Sequence, residues 1–169
     1  MENYICINGK KAELTEEQMK ALGIEWPKAS PFKRAKNNDK YYSIRGDGLV
    51  EFHYEVGDYF DDSCFKSANY CTNKSIMEQR ALHETLNRLL WRYSMEHDGD
   101  SPASETGTKL FYTIGYHFAD KFHPNNYLFV CTAGNGFSFN PRFDTEEIAN
   151  NAIKEIVKPF MKAHPEFKW

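Results

Sequence analysis

The sequence has no long apolar run, since none of its hydrophobic stretches approaches the roughly 18 apolar residues that a membrane-spanning helix needs. Its opening, MENYICINGKKAEL, has no basic stretch followed by an apolar one, which is the pattern of a signal peptide. We therefore expect a cytoplasmic protein without a membrane partner. This expectation argues against an adhesion role for Arg45-Gly46-Asp47, a tripeptide that extracellular ligands use.

An excess of positive charge is also absent. The 169 residues carry a formal net charge of −3, whereas nonspecific nucleic-acid binders usually carry a basic stripe. Hydrophobic residues make up 41% of the chain and charged residues 27%, values that are ordinary for a globular protein and argue against disorder. Aromatic residues reach 15%, which indicates a β-rich core, a contact surface made of rings, or both.

Signatures of catalytic and metal sites are missing as well. His83-Glu84 would begin a zinc-binding HExxH motif, but Asn87 stands where the second histidine is required. The four cysteines form no CxxC pair, and we interpret them as reduced core thiols: Cys6, Cys64, Cys71 and Cys131. We predict no enzymatic activity, no catalytic residue, no cofactor and no metal site. A cluster in space among the histidines near strands stays open: His53, His117 and His123.

One acidic segment, GDYFDDSC, brings together Asp58, Asp61 and Asp62. Carboxylates at this spacing could hold a hard cation, but the glycine and the terminal glutamate of a calcium loop are absent. A solvated loop is the simpler interpretation. The same carboxylates could also present negative charge to a cleft lined with Lys and Arg.

Residues 1–30 are predicted to form a small head made of a hairpin and a helix. Two short strands flank Asn8-Gly9, which is the strongest two-residue hairpin signal. Thr15 is expected to cap the helix, and Gln18, three residues later, completes a capping box.

Residues 31–105 are predicted to form a β-β-β-α unit. Aromatic and β-branched residues predict strands over 41–44 and 49–54, and the Gly-Asp-Gly between them suits a tight turn. A third strand is predicted over Phe65–Cys71. The helix that follows carries one apolar stripe, formed by Leu82, Leu86, Leu89, Leu90 and Tyr93.

Residues 106–169 repeat this pattern, because LFYTI resembles KYYSI and aligns Tyr112 with Tyr42. Further strands are predicted over 127–132 and 137–140. From the repetition we predict an α+β fold in which an antiparallel sheet is covered by two long helices. An internal duplication is one interpretation, and the general likeness of β-then-α segments is the other.

Both long helices have predicted starting points. The first is expected to begin after Thr72 or Asn73, and the second after Asp144 or Thr145, because these side chains cap helices well. Pro159 should kink or end the second helix, since proline lacks the backbone N–H of a regular helical residue.

A basic linker precedes the first predicted strand of the β-β-β-α units. Together with a neighbouring tyrosine, it could hold single-stranded nucleic acid through charge and stacking, using Lys33, Arg34, Lys36, Lys40 and Tyr41. A solvated connector is the simpler interpretation in a chain of negative net charge. Nucleic-acid binding is therefore kept as the alternative function.

The segment SPFKRAKNNDKYYSIRGDGLVEF resembles a family of small proteins that phages and mobile elements of Firmicutes encode. Such proteins typically have a hairpin-helix start, a PF-x-R linker, a YYYI…G-x-V hairpin and a GNYF-x-T-x-EEA helix start. Pro31, Phe32 and Arg34 match the linker. Residues 68–72 match the helix start loosely, because Cys71 replaces the usual Phe and the EEA is missing there.

Some phage proteins of this size and pattern are anti-CRISPR inhibitors. The resemblance implies an inhibitor of a type II RNA-guided DNA nuclease with its guide RNA, acting in the cytoplasm of the bacterial host and blocking DNA binding or cleavage. Such nucleases have basic channels, which an acidic, aromatic surface could occupy. The candidate partner-binding residues are Glu51, Glu55, Asp58, Tyr59, Phe60, Asp61 and Asp62. The alternative is a phage accessory protein that binds single-stranded nucleic acid, and the sequence leaves open whether the chain forms a homodimer.

Overall fold

A computed structural model describes residues 4–7, 10–13, 15–22, 30–97, 111–133 and 141–169. The chain divides into two compact units, Met1–Lys33 and Arg34–Trp169. Helices and two-stranded antiparallel sheets occur together in the described residues, so the predicted α+β class is confirmed.

The first unit contains a hairpin and a short helix. Strands β1 (Tyr4–Ile7) and β2 (Lys10–Glu13) pair antiparallel, and helix α1 covers Glu16–Ala21. The backbone N–H of Gln18 donates to Thr15 Oγ1 at 3.3 Å, and the Thr15 N–H donates to Gln18 Oε1 at 2.9 Å. The predicted hairpin and capping box are both confirmed.

The second unit begins with strands β3 (Lys40–Ile44) and β4 (Val50–Tyr54), which form the predicted hairpin. Helix α2 follows over Tyr59–Lys66, so the third strand predicted over Phe65–Cys71 is wrong. An N-terminal cap starts this helix, and Ala68 then adopts a φ of 57° that no extended strand allows. Of the predicted strand, Cys71 forms an isolated β-bridge with β3.

Helix α3 covers Lys74–His97 and follows Asn73, whose Oδ1 accepts the Ile76 N–H at 3.2 Å. Its N-terminal half packs Met77 and Ala81 against the β3–β4 hairpin. The C-terminal half of α3 packs the predicted stripe into a core that it shares with residues 106–169. Leu86, Leu90 and Tyr93 are buried there, and Leu82 and Leu89 are partly buried. The stripe is therefore confirmed.

We call residues 31–105 the first half and residues 106–169 the second half. The second half contains strands β5 (Phe111–His117) and β6 (Tyr127–Ala133) and helix α4 (Glu146–Ala152). Thr145 caps α4, because its Oγ1 accepts the Ile148 N–H at 3.2 Å. The strand predicted over 137–140 lies outside the described residues.

Helix α4 ends at Ala152, before Pro159, the residue that was predicted to kink or end the second helix. A π-helical turn over Ile153–Val157 leads directly into helix α5, which covers Lys158–Ala163. Pro159 thus lies in the first turn of α5, a position at which helices tolerate proline.

The two halves share one local arrangement. Tyr42 in β3 forms an isolated bridge with Cys71, and Tyr112 in β5 forms one with Phe143. In each half the residue that caps the helix, Asn73 or Thr145, lies two positions after the bridging residue. In the described part of the chain β3–β4 and β5–β6 are separate sheets, which corrects the single covered sheet that we predicted. The duplication itself stays a prediction.

Buried thiols contribute to the core around the β3–β4 hairpin. Cys64 and Cys71 are buried and free, and Cys131 is free and half-buried. Cys64 forms a small cluster with Tyr41 and Tyr70. These three cysteines therefore agree with the predicted reduced thiols.

The tip of the β3–β4 hairpin holds Arg45-Gly46-Asp47 close to α3. Gly48 has a φ of 89°, and a Cβ there would lie 3.0 Å from Thr85 Oγ1. We expect Gly48→Ala to lower the free energy of unfolding by about 1–2 kcal/mol, because an L residue is strained at this φ. Gly46→Ala is the matched control, since no atom lies within 4 Å of its Cβ position. Urea unfolding of both variants checks this, and equal midpoints would contradict it.

Candidate functional site

The predicted acidic loop is the N-terminus of helix α2. Gly57 adopts a φ of 75° and turns the chain into the helix. Asp58 then acts as N-cap, because its Oδ1 accepts the Asp61 N–H at 2.9 Å while Asp61 Oδ2 faces the Asp58 N–H at 3.4 Å. Two aspartates thus form a capping box, a role usually taken by Ser or Thr with Glu or Gln.

Asp61 is buried and fully occupied by internal hydrogen bonds. The Tyr41 hydroxyl donates to its Oδ1 at 2.7 Å, and its Oδ2 accepts the N–H groups of Val56 and Gly57 at 2.8 and 2.9 Å. Burial favours the protonated acid, but these hydrogen bonds outweigh it and hold the pKa of Asp61 below its ordinary value. Burial and the bond to Asp61 raise the pKa of Tyr41.

Glu55 is a second buried carboxylate. Its Oε1 accepts from Arg34 Nη2 at 2.8 Å and from the Gly57 N–H at 3.0 Å, and its Oε2 accepts the Tyr70 hydroxyl at 2.8 Å. The bond from Arg34 is the largest cause of the lowered pKa of Glu55. Burial raises the pKa of Tyr70 to about 12, so the tyrosine remains a hydrogen-bond donor at neutral pH.

Arg34 joins this network to the exposed side of α2. Its Nη1 lies 2.6 Å from Asp62 Oδ1, while Lys66 Nζ lies 3.5 Å from the other Asp62 oxygen. The hydrogen bond from Arg34 is the main cause of the lowered pKa of Asp62. Arg34 therefore clamps the segment before β3 onto both Glu55 and α2.

These contacts divide the predicted partner-binding residues into two groups. Glu55 and Asp61 are interior residues that hold the fold, so they cannot present a charge to a partner. Asp62 is partly exposed but shares its charge with two cations. The sequence could not show this, because Arg34, Tyr41 and Tyr70 lie far from the acidic loop along the chain.

The other four predicted residues are exposed, except for Glu51, which is half-buried, and we name them the α2 surface: Glu51, Asp58, Tyr59 and Phe60. Tyr59 is 89% exposed and Phe60 48% exposed. The Phe60 ring lies 4.8 Å from the His53 ring, and His53 Nε2 lies 3.4 Å from Glu51 Oε1. His53 thus connects the strand residue Glu51 to the first turn of α2.

The residues predicted for nucleic-acid binding that belong to the second unit are not all available on its surface. Tyr41 is completely buried, and Arg34 is bound to two carboxylates. Lys33 belongs to the first compact unit, whereas Lys36 and Lys40 belong to the second. The two lysines of the second unit are exposed.

Two exposed rings beside Lys40 were missed from the sequence. Phe52 is 55% and Tyr54 50% exposed on one face of β4, with their rings edge to face at 6.0 Å. Lys40 Nζ lies 4.9 Å from the Phe52 ring and 5.5 Å from the Tyr54 ring. The alternation in VEFHY was the signal that places both rings on the same side of the strand.

No family model matches this sequence, and no curated protein or solved structure matches it either. Among the described residues, no helix has the length and apolar character needed to cross a membrane. Function is therefore inferred from the residues of the chain itself.

Proposed function

We propose that this chain is a binding protein that inhibits a type II RNA-guided DNA nuclease, with its guide RNA bound, in the cytoplasm of a bacterial host. The observation that carries the proposal is the α2 surface, where an almost fully exposed Tyr59 stands beside Phe60 and two carboxylates. Exposed aromatic side chains are the residues that most often dominate binding energy at protein interfaces. The flanking carboxylates complement the positive channels of such a nuclease.

The support beneath this surface favours binding as well. The first turn of α2 is held by its capping box and by the buried carboxylate of Asp61. Arg34 fixes the next position, Asp62, from outside the helix. Tyr59 is therefore presented by a backbone that needs little ordering when a partner binds, which reduces the entropic cost of association.

A second candidate function, binding of single-stranded nucleic acid, is favoured by the rings of Phe52 and Tyr54 beside Lys40. Exposed rings on a strand can stack on bases, and a nearby ammonium group can contact the phosphates. This surface uses only Lys40 of the residues that the sequence suggested for nucleic acid.

One pair of variants separates the two functions. We expect Tyr59→Ala to weaken inhibition of target cleavage by about thirtyfold or more, because an interface anchor is worth at least about 2 kcal/mol. Tyr54→Ala is the matched control and should leave inhibition unchanged. The assays are cleavage by several guide-loaded type II nucleases and co-migration of the inhibitor with each.

Three results would contradict the proposal. Wild-type protein that affects none of the nucleases would exclude this target class. Equal inhibition by wild type and Tyr59→Ala would exclude the α2 surface. A salt-dependent mobility shift of single-stranded DNA that Tyr54→Ala abolishes would favour the second function instead.

A further inference from the structure

Two histidines and one aspartate converge at the end of the β5–β6 hairpin. His117 is the last residue of β5, and Asp120 and His123 lie in the loop that follows. One potential ligand atom from each residue lies within 4.8 Å of the others. His117 Nε2 is 3.7 Å from Asp120 Oδ2, and His123 Nδ1 is 3.6 Å from Asp120 Oδ1.

The two oxygens of Asp120 have different surroundings. Oδ1 accepts the backbone N–H groups of Phe122 and His123 at 2.8 and 2.7 Å. Oδ2 instead points toward His117 Nε2. The backbone bonds therefore orient the carboxylate so that Oδ2 faces His117, while Oδ1, which accepts both N–H groups, lies near His123.

His117 has a buried ring nitrogen without a hydrogen-bond partner. Its Nε2 is hidden from solvent yet makes no hydrogen bond, and such a group carries a desolvation cost that needs a physical explanation. The ring is held by stacking on Tyr127, its partner across the hairpin, with centroids 4.8 Å apart. The His123 ring lies 4.9 Å from the His117 ring and completes the cluster.

We propose that His117 Nε2, Asp120 Oδ2 and His123 Nδ1 bind one divalent transition-metal ion of the zinc type. Imidazole nitrogens and a carboxylate oxygen are ordinary zinc ligands, and metal–ligand bonds of about 2.0–2.2 Å place tetrahedral ligands roughly 3.3 Å apart. The separation of 3.7 Å between His117 Nε2 and Asp120 Oδ2 is close to that spacing. One ligand atom from each of the three residues lies within 4.8 Å of the others. Three protein ligands leave a fourth position for water or for a group on a partner.

This site is independent of the proposed inhibition, and it differs from our prediction from sequence that the chain has no metal site. The acidic segment considered there is a weaker candidate, because Asp61 directs its oxygens to internal donors and Asp62 is bound to Arg34. The histidine cluster, in contrast, has a buried nitrogen without a hydrogen-bond partner that lies 3.7 Å from a carboxylate oxygen.

Calorimetric titration of the metal-free protein with ZnCl₂ tests the proposal, with MgCl₂ as the hard-cation arm. We expect one zinc ion per chain and no comparable magnesium binding, since magnesium prefers oxygen ligands. Asp120→Asn should weaken zinc binding by at least about tenfold, the loss that even outer-shell changes produce. Its amide oxygen can still accept both backbone N–H groups, so the variant removes only the oxygen directed at the metal. His123→Gln should have a similar effect.

His164→Gln is the matched control, because His164 and Glu166 form an exposed pair at 3.4 Å without a third ligand. It should bind zinc as wild type does. The proposal fails if zinc does not bind, if magnesium binds equally well, or if Asp120→Asn and His123→Gln keep wild-type affinity. A thiolate charge-transfer band on Co²⁺ substitution would also overturn it, because it would place the metal on cysteine. Circular dichroism confirms that each variant is folded before titration.

Discussion

Replacing Asp61 with alanine should lower the free energy of unfolding by about 3 kcal/mol, because it removes the acceptor of a buried hydrogen-bond network. The Tyr41 hydroxyl would lose its partner inside the protein, and so would the N–H groups of Val56 and Gly57. The capping box of α2 would lose its second member as well. Urea unfolding followed by circular dichroism measures the effect.

Asp62→Ala is the control for this result. Asp62 is the neighbouring carboxylate, but its ion pairs with Arg34 and Lys66 are exposed to solvent, and such pairs contribute at most about 1 kcal/mol. Equal losses for the two variants would contradict the structural role of Asp61.

The pH dependence gives an additional readout for Asp61. Its pKa is lowered by folding, so its stabilising contribution is present above the ordinary pKa of aspartate and is lost as the pH falls through the lower, folded value. The difference between wild type and Asp61→Ala should therefore persist at neutral pH and shrink in strong acid. A difference that grows as the pH falls would contradict the assigned direction.

Features that short-range signals determine were predictable from the sequence. Residues only a few positions apart determine the helix caps at Thr15 and Thr145 and the β3–β4 hairpin. The stripe on α3 depends on helical periodicity, which is also local. In each case the tertiary structure agrees with the local preference.

Helix α2 was missed although its capping box is local, because the long-range contacts that bury its acidic N-terminus are not visible in the sequence. Its carboxylates suggested a solvated loop, yet Asp61 is buried by Tyr41 and Glu55 by Arg34 and Tyr70. Arg34 precedes Glu55 by 21 positions, and Tyr70 follows it by 15. A sequence pattern cannot show that such distant donors will neutralise a buried carboxylate, so the partner-binding prediction included two interior residues.

The histidine cluster shows the opposite situation. His117, Asp120 and His123 are spaced three residues apart, so the spacing was visible in the sequence. The spacing alone did not indicate a metal site, because the position of the His117 ring, whose Nε2 has no hydrogen-bond partner, depends on its stacking on Tyr127 in β6. Only the register of the hairpin brings Tyr127 opposite His117.

Phe143→Ala should have the largest effect of any single truncation considered, a loss of about 4 kcal/mol in the free energy of unfolding, since Phe→Ala changes in cores cost about 3–5 kcal/mol. The side chain is fully buried in the main core cluster, together with Leu86 and Leu90 of α3. Urea unfolding measures the loss, and Phe122→Ala is the control, because Phe122 is 74% exposed.

Cys71→Ala is the variant to compare with Phe143→Ala, because Cys71 and Phe143 occupy equivalent positions between a hairpin and the helix that follows. Cys71 and Phe143 make equivalent backbone bridges, with N–H···O distances of 2.7 and 3.0 Å to Tyr42 and of 2.9 Å in both directions to Tyr112. Alanine preserves these bridges in both variants, so any difference reports the side chains alone. We expect Cys71→Ala to cost much less, because a thiol buries far less apolar area than a phenyl ring. Equal losses would contradict the larger contribution that we assign to the Phe143 side chain.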